Sequence, residues 1–367
     1  MHLKKIIKTK TICVCLVFFA YVSAYSNWQG AGTETDPYQI WSKAHLEELA
    51  DSVNNSTVPE PYNWSTNKYF ILMNDITDSV RTVIGQVHGG PNTRKAFQGN
   101  FNGNGKKIVA SINSYIAGIF GFVFFAIIEN FDVYGVISGE YVGGVVSKNY
   151  SSLVRNCNNY ANLKATIFSG GIVGENTSRA YYYGTYITGV ATVINCNNYG
   201  RLEATGTLLS GYAGICIGGI VGHSEGGDVI NCINTGELYF PNSWILGGIA
   251  GHFLTSYDNG GSISNCINTG SVFGFNTVGG IGGEVSAGTI VDNNINYGFT
   301  KGNHKVGGVV GYLGMTGSSF SSGGTASNNS NFGVVVGEED TGCIVGKNYG
   351  GTVINNHYDK QMCGEED

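Results

Sequence analysis

Two short phrases alternate from residue 118 almost to the end of the chain, and nothing else in the sequence restricts the fold as tightly. The first, Gly-Gly-[Ile/Val]-[Val/Ala/Gly]-Gly or a close variant, begins at Gly143, Gly170, Gly218, Gly247, Gly279 and Gly307, with a degenerate copy at Gly342. The second, Asn-Cys-x-Asn-x-Gly or a relative, follows each: Asn156-Cys157, Asn195-Cys196, Asn231-Cys232, Asn265-Cys266, Asn293-Asn294, Asn328-Asn329 and Asn355-Asn356. A weaker copy pairs Gly118-Ile119-Phe120-Gly121 with Ile128-Glu129-Asn130-Phe131, so the array holds about eight units.

The shortest spacing, from Gly279 to Gly307, is 28 residues and contains three short β-prone runs, at 280–283, 289–293 and 297–300. Such a unit cannot bury its own apolar face and must stack on its neighbours. One coil per unit is the economical solution: an all-β, right-handed parallel β-helix of about eight coils, roughly 40 Å long at ~4.8 Å per coil. Composition agrees: 57 of 367 residues are Gly and only 13% are charged, about half the usual ~25%. Surface helices and coiled coils need more charge than that.

Stacked coils place like residues one above another. Asn fills one column at 156, 195, 231, 265, 293, 328 and 355, and a second at 159, 198, 234, 268, 296 and 331. Asn at turns tolerates left-handed backbone and can hydrogen-bond along a ladder, which makes both columns structural. Val154, Val193, Val229, Ile263, Val291, Ala326 and Val353 form an apolar column expected in the core. Cys157, Cys196, Cys232 and Cys266 share one column and read as an interior thiol ladder, because stacked Cβ atoms sit farther apart than the ~3.8 Å of a disulfide. Cys216, Cys343 and Cys363 have no evident partner.

Four lysines up to Lys10, an apolar run at 12–22 and Val22-Ser23-Ala24 read as a secretory signal peptide, residues 1–24. Removing its lysines leaves 16 basic against 26 acidic residues. That balance disfavours nucleic acid and anionic membranes, and the apolar run is too short to make this an integral membrane protein. Residues 25–115 form a distinct segment. Leu46, Leu49, Ala50 and Val53 fall at helical spacing behind Ser42, predicting a short amphipathic helix that covers the open end of the solenoid. A strand at 68–76 and a turn-rich phrase at 97–108 belong to the first, irregular coils. The regular array occupies 116–359, and 360–367 is a short acidic tail.

Recognition chemistry is sparser. The residue after each Gly-Gly phrase gives a column of Lys148, Glu175, His223, His252, Glu284, Tyr312 and Lys347. In it His223 and His252, flanked by Glu175 and Glu284, either hold a divalent ion or alternate charge on a solvated ridge. An aromatic loop with Tyr181, Tyr182, Tyr183 and Tyr186, together with Tyr212, Tyr239-Phe240 and Trp244, either presents rings to a protein or glycan or packs on itself. Paired carboxylates of a glycosidase are not evident, because Asp228, Asp258, Asp292 and Asp340 share no full column. No cofactor is called for.

The ordered set Gly-x-Gly-Thr…Asp-Pro-Tyr-x-Ile, Leu-x-x-Leu-Ala, Lys-Tyr-Phe-x-Leu-x-x-Asp-Ile, Phe-x-Gly-x-Phe-x-Gly-x-Gly and repeated Gly-Gly-Ile-Val-Gly resembles GLUG-motif proteins, which are bacterial surface and adhesin-like. The resemblance covers nearly all of 28–358 and implies a secreted or cell-surface solenoid. In that family the motif also accompanies IgA-specific metallopeptidases whose peptidase module carries His-Glu-x-x-His. Here the nearest string, His45-Leu46-Glu47-Glu48-Leu49, lacks the second His. The expectation is therefore a noncatalytic, adhesin-like solenoid that is not an enzyme and binds host or matrix protein or glycan. The alternative is a carbohydrate-active or peptidase-associated enzyme on the same scaffold, or a purely structural envelope protein.

Overall fold

The computed structural model describes residues 28–59, 62–87, 94–182, 185–204, 215–255, 260–314 and 323–363. Residues 1–24, read above as a signal peptide, lie outside them. The chain is a parallel β-helix. One of its sheets is a ladder of eight parallel strands: Phe120–Phe124, Val146–Tyr150, Val173–Thr177, Val221–Glu225, Ala250–Leu254, Gly282–Val285, Val310–Leu313 and Val345–Asn348. Each of these strands belongs to a different coil, which confirms about eight units among the described residues.

The register is the one the repeated phrases predict. Ile128, Val154, Val193, Val229, Ile263, Val291, Ala326 and Val353 pair in sequence, one per coil. All but the last are fully buried, while Val353 is 43% exposed because no described coil follows it. Earlier turns extend the same column through Phe101 and Phe70.

Both Asn columns are ladders, and they run in opposite directions. The inner one is wholly buried: Asn159, Asn198, Asn234, Asn268 and Asn296 each donate from Nδ2 to the Oδ1 of the next coil's Asn at 2.8–2.9 Å. The same Nδ2 also donates to the carbonyl two residues on, as from Asn234 to Gly236 at 3.1 Å. Gly219 is required above this ladder, since a Cβ there would collide with the Asn234 side chain and the Gly248 carbonyl. The outer column, from Asn130 to Asn355, sits at turns with φ of 53–62°, the left-handed region that Asn tolerates best after Gly. Its amides donate backwards, as from Asn156 to Asn130 at 3.0 Å and from Asn231 to Asn195 at 3.3 Å.

Cys157, Cys196, Cys232 and Cys266 are buried free thiols on consecutive coils, as expected. Each donates to the carbonyl two residues before it at 3.2–3.3 Å. Asn294 continues the column, accepting from the Cys266 backbone N–H at 2.8 Å. The expectation that Cys343 and Cys363 lack partners is corrected: they form a disulfide, with Cα atoms 5.4 Å apart.

At the other end the helix is Lys43–Asn54, capped by Ser42, whose Oγ accepts from the His45 N–H. Leu46, Leu49, Ala50 and Val53 are its buried face, packed into the same core as the coils. The phrase at 97–108 is more extended than its glycines suggest. Asn100–Asn113 is one long strand, bent at Asn104 and Gly105 where φ is positive, and it pairs with Ile127–Gly143.

Candidate functional site: an outer groove with a Cys-His-His cluster

The residues after the Gly-Gly phrases stand in register as one continuous column, Lys148, Glu175, His223, His252, Glu284, Tyr312 and Lys347. A second column precedes the same phrases: Tyr141, Phe168, Cys216, Ile245 and Thr277. The backbone folds back between the two columns, and glycine makes the closeness feasible. A Cβ on Gly251 would lie 2.6 Å from the Ile217 nitrogen of the other wall. The two columns therefore face each other across a re-entrant groove on the outside of the solenoid. Lys148 Nζ lies 4.0 Å from the Tyr141 ring centroid, and Phe168 stacks on the His223 ring at 5.0 Å and 11°.

This corrects the expectation of a solvated ridge. Side-chain exposure is 17% for Lys148, 13% for Glu175, 19% for His252 and 8% for Glu284. The groove divides chemically into two parts. Toward the N-terminal end, Glu175 accepts from Lys148 Nζ and from the Tyr150 hydroxyl, both at 2.7 Å. Burial alone would raise the Glu175 pKa, but Lys148, His223 and these hydrogen bonds outweigh it and hold the carboxylate below its ordinary value. Glu175 is thus committed to Lys148 and Tyr150 in this structure.

One coil on, Cys216, His223 and His252 bring their ligand atoms within 4.8 Å of one another. Glu284 Oε1 lies 3.8 Å from His252 Nε2. Burial pushes the His223 imidazole below its ordinary value, with Glu175 opposing. Burial, with His223 beside it, takes His252 down to about 3. Both rings are therefore neutral near pH 7 and can offer a nitrogen lone pair. Burial and then the Glu284 charge push the Cys216 thiol up, so without a cation it is a thiol and a poor nucleophile. Sequence reasoning missed Cys216 because its side chain points away from the core on one wall while the histidines stand on the other. Its position two residues before Gly218 was the available signal.

The aromatic candidates are dispersed. Tyr181, Tyr182 and Tyr186 lie in an antiparallel hairpin, Arg179–Tyr182 with Thr185–Thr188. Tyr183 and Tyr212 lie outside the described residues. Trp244 and Tyr239 are exposed, whereas Phe240 is fully buried and is corrected to a core residue. A different aromatic array is present: Tyr134, Tyr160 and Tyr199 stack at 4.7 and 4.6 Å with rings nearly parallel. An open depression of about 460 Å³ lies over Asn102, Asn130, Asp132, Asn156 and Asn158, but their side chains already hydrogen-bond one another.

No family model matches the chain, and no curated protein does. Solved structures do. One is a candidate immunoglobulin A1 protease from Bacteroides ovatus, with a TM-score of 0.51, 16% identity, and coverage of 90% of this chain and 86% of that one. Another is named IgA1 protease, with a TM-score of 0.48, 15% identity, and coverage of 87% of this chain and 21% of that one. At such identity the likeness establishes the fold. It also overturns the expectation that the chain is not an enzyme: the first of these chains, of the same architecture and nearly the same extent, is described as a peptidase, so the exclusion is withdrawn.

Proposed function

We propose that the chain is a peptidase-associated β-helix that engages a polypeptide along its outer groove. The observation that carries this reading is the convergence there of ionisable and metal-ligating groups, Lys148, Glu175, His223, His252 and Glu284 along one wall with Cys216 facing them from the other. Such groups gathered in a concave, partly desolvated site are what acyl transfer or substrate clamping needs. Immunoglobulin A1 is the first substrate to try, given the names of the similar structures. The test incubates the purified chain with immunoglobulin A1 and with unfolded protein, with and without added zinc, and reads cleavage by mass spectrometry and retention by pull-down. Cleavage or retention that disappears in His252→Ala/Glu284→Gln supports the reading. Neither with any substrate sinks it.

Exposed aromatics favour a second reading, adhesion to host or matrix protein or glycan. Tyr160, Tyr199, Tyr239 and Trp244 all expose about two-fifths of their surface, and amphipathic rings suit such contacts. A glycan and matrix-protein array in which Tyr160→Ala/Tyr199→Ala binds as well as the parent protein would remove it. The basic and apolar segment at 1–24 supports export to the cell surface or exterior. Recovery of the untreated chain solely from the cytosol of its native host would count against that.

A further inference from the structure

The groove cluster has the composition of a metal centre. We propose that Cys216, His223 and His252 bind one borderline-soft divalent cation of the zinc class, with Glu284 as the fourth ligand.

Three observations converge. The first is geometry: the three ligand atoms already lie within 4.8 Å of one another. In a tetrahedral zinc site they would stand roughly 3.5 Å apart, from Zn–S near 2.3 Å and Zn–N near 2.0–2.1 Å. Small side-chain rotations close that difference, because the ligands rest on parallel strands in register.

The second is hydrogen bonding. His223 Nδ1 is buried and has no hydrogen-bond partner among the described residues, a costly condition for a ring nitrogen unless something else occupies it. The four core thiols each donate to a carbonyl two residues back, and Cys216 makes no such bond among the described residues. Phe168, stacked flat on His223, fixes that ring's orientation.

The third is charge. A thiolate, two neutral imidazoles and one carboxylate around a divalent cation sum to zero, the total that a site of this burial tolerates best. Binding releases the thiol proton to solvent, so the exchange is one cation in for one proton out. One soft sulfur with two imidazoles selects zinc or cobalt over magnesium or calcium, which prefer oxygen.

The site lies in the groove proposed above as the working surface, but its test reads the metal alone and is indifferent to whether any polypeptide is cleaved. The chelator-stripped full chain is titrated with Co²⁺, followed by the thiolate-to-cobalt charge-transfer band and the visible bands of tetrahedral Co²⁺, and then back-titrated with Zn²⁺. The expected result is one Co²⁺ per chain with both signatures, displaced by Zn²⁺. Cys216→Ser should abolish the charge-transfer band, and His223→Ala or His252→Ala should weaken binding by about a hundredfold or more. Cys232→Ser, a core thiol, should leave both unchanged. A charge-transfer band that survives Cys216→Ser, or no stoichiometric tetrahedral spectrum from the parent chain, overturns the proposal. If a variant does not fold, the parent titration still decides, together with the thermal midpoint, which one equivalent of Zn²⁺ should raise.

Discussion

Replacing Asn234 by Ala tests whether the buried amide ladder, as distinct from the thiols or the turns, holds the coils in register. The Asn234 side chain is fully buried. It accepts from Asn198 Nδ2 at 2.8 Å and from the Gly236 N–H at 3.2 Å, and donates to Asn268 Oδ1 at 2.8 Å and the Gly236 carbonyl at 3.1 Å. Four buried hydrogen bonds at about 1 kcal/mol net each predict a loss of about 4 kcal/mol. Asn234→Asp should cost more, because it sets a carboxylate oxygen against the Asn268 and Gly236 oxygens. The matched control is Asn231→Ala in the outer column. Its exposed amide donates to Asn195 at 3.3 Å and its φ is 53°. There the cost is mainly the left-handed backbone, about 1–2 kcal/mol, and Asn231→Gly should recover most of it. Stability in a solenoid is local, so the assay is hydrogen exchange resolved to the coil around 229–240. A loss at Asn234→Ala no larger than that at Asn231→Ala would refute the reasoning.

Other outcomes follow from the groove and the ends. Gly251→Ala should destabilise by about 1–3 kcal/mol and weaken Co²⁺ binding, because its Cβ would meet Ile217 and Gly222 backbone atoms at 2.6 Å; equilibrium denaturation and the cobalt titration read both. Glu175 has a depressed pKa, so its contribution is present above the unfolded value near ~4.3 and is lost as pH falls through the lower folded one. Lys148→Met should reverse that sign, leaving the largely buried Glu175 without its cation and with the Tyr150 hydrogen bond alone and making the chain less stable near neutral pH than at pH ~4, as read by thermal midpoints across that range. Reducing the Cys343–Cys363 disulfide, which closes a separation of 20 residues, should cost about 3 kcal/mol. That loss should appear as faster exchange at 339–358, with the coils before Gly279 unaffected.

The solenoid was legible because spacing in a repeat is register. Val154 over Val193 and Asn198 over Asn234 follow from counting alone. The end cap was legible for a related reason, since Leu46, Leu49, Ala50 and Val53 carry a helical period in a chain otherwise devoid of one. What counting cannot supply is the sense of a corner. Whether the backbone at Gly218–Gly222 bends outward as a ridge or inward as a groove depends on strand packing, and only the inward bend brings Cys216 to the histidines. The pairing of Cys343 with Cys363 was hidden for a similar reason: one sits in a coil and the other in a short helical turn beyond it. Phe240 was misjudged because the pattern near an insertion no longer reports which face a residue takes.

The two tracks along the rod differ in kind. On the inner one each coil from Asn198 to Asn296 receives an amide hydrogen from the coil before and passes one to the coil after, until Asn331 ends the series against the Cys363 sulfur at 3.9 Å. To that track the coils are interchangeable, and one more or one fewer leaves the chain of amides intact. On the groove column the letters vary along the rod, Lys, Glu, His, His, Glu, Tyr, Lys, and their order is the content. The molecule thus resembles a ruled page, where a uniform grid keeps the lines evenly spaced while the writing on them can be revised without disturbing the grid.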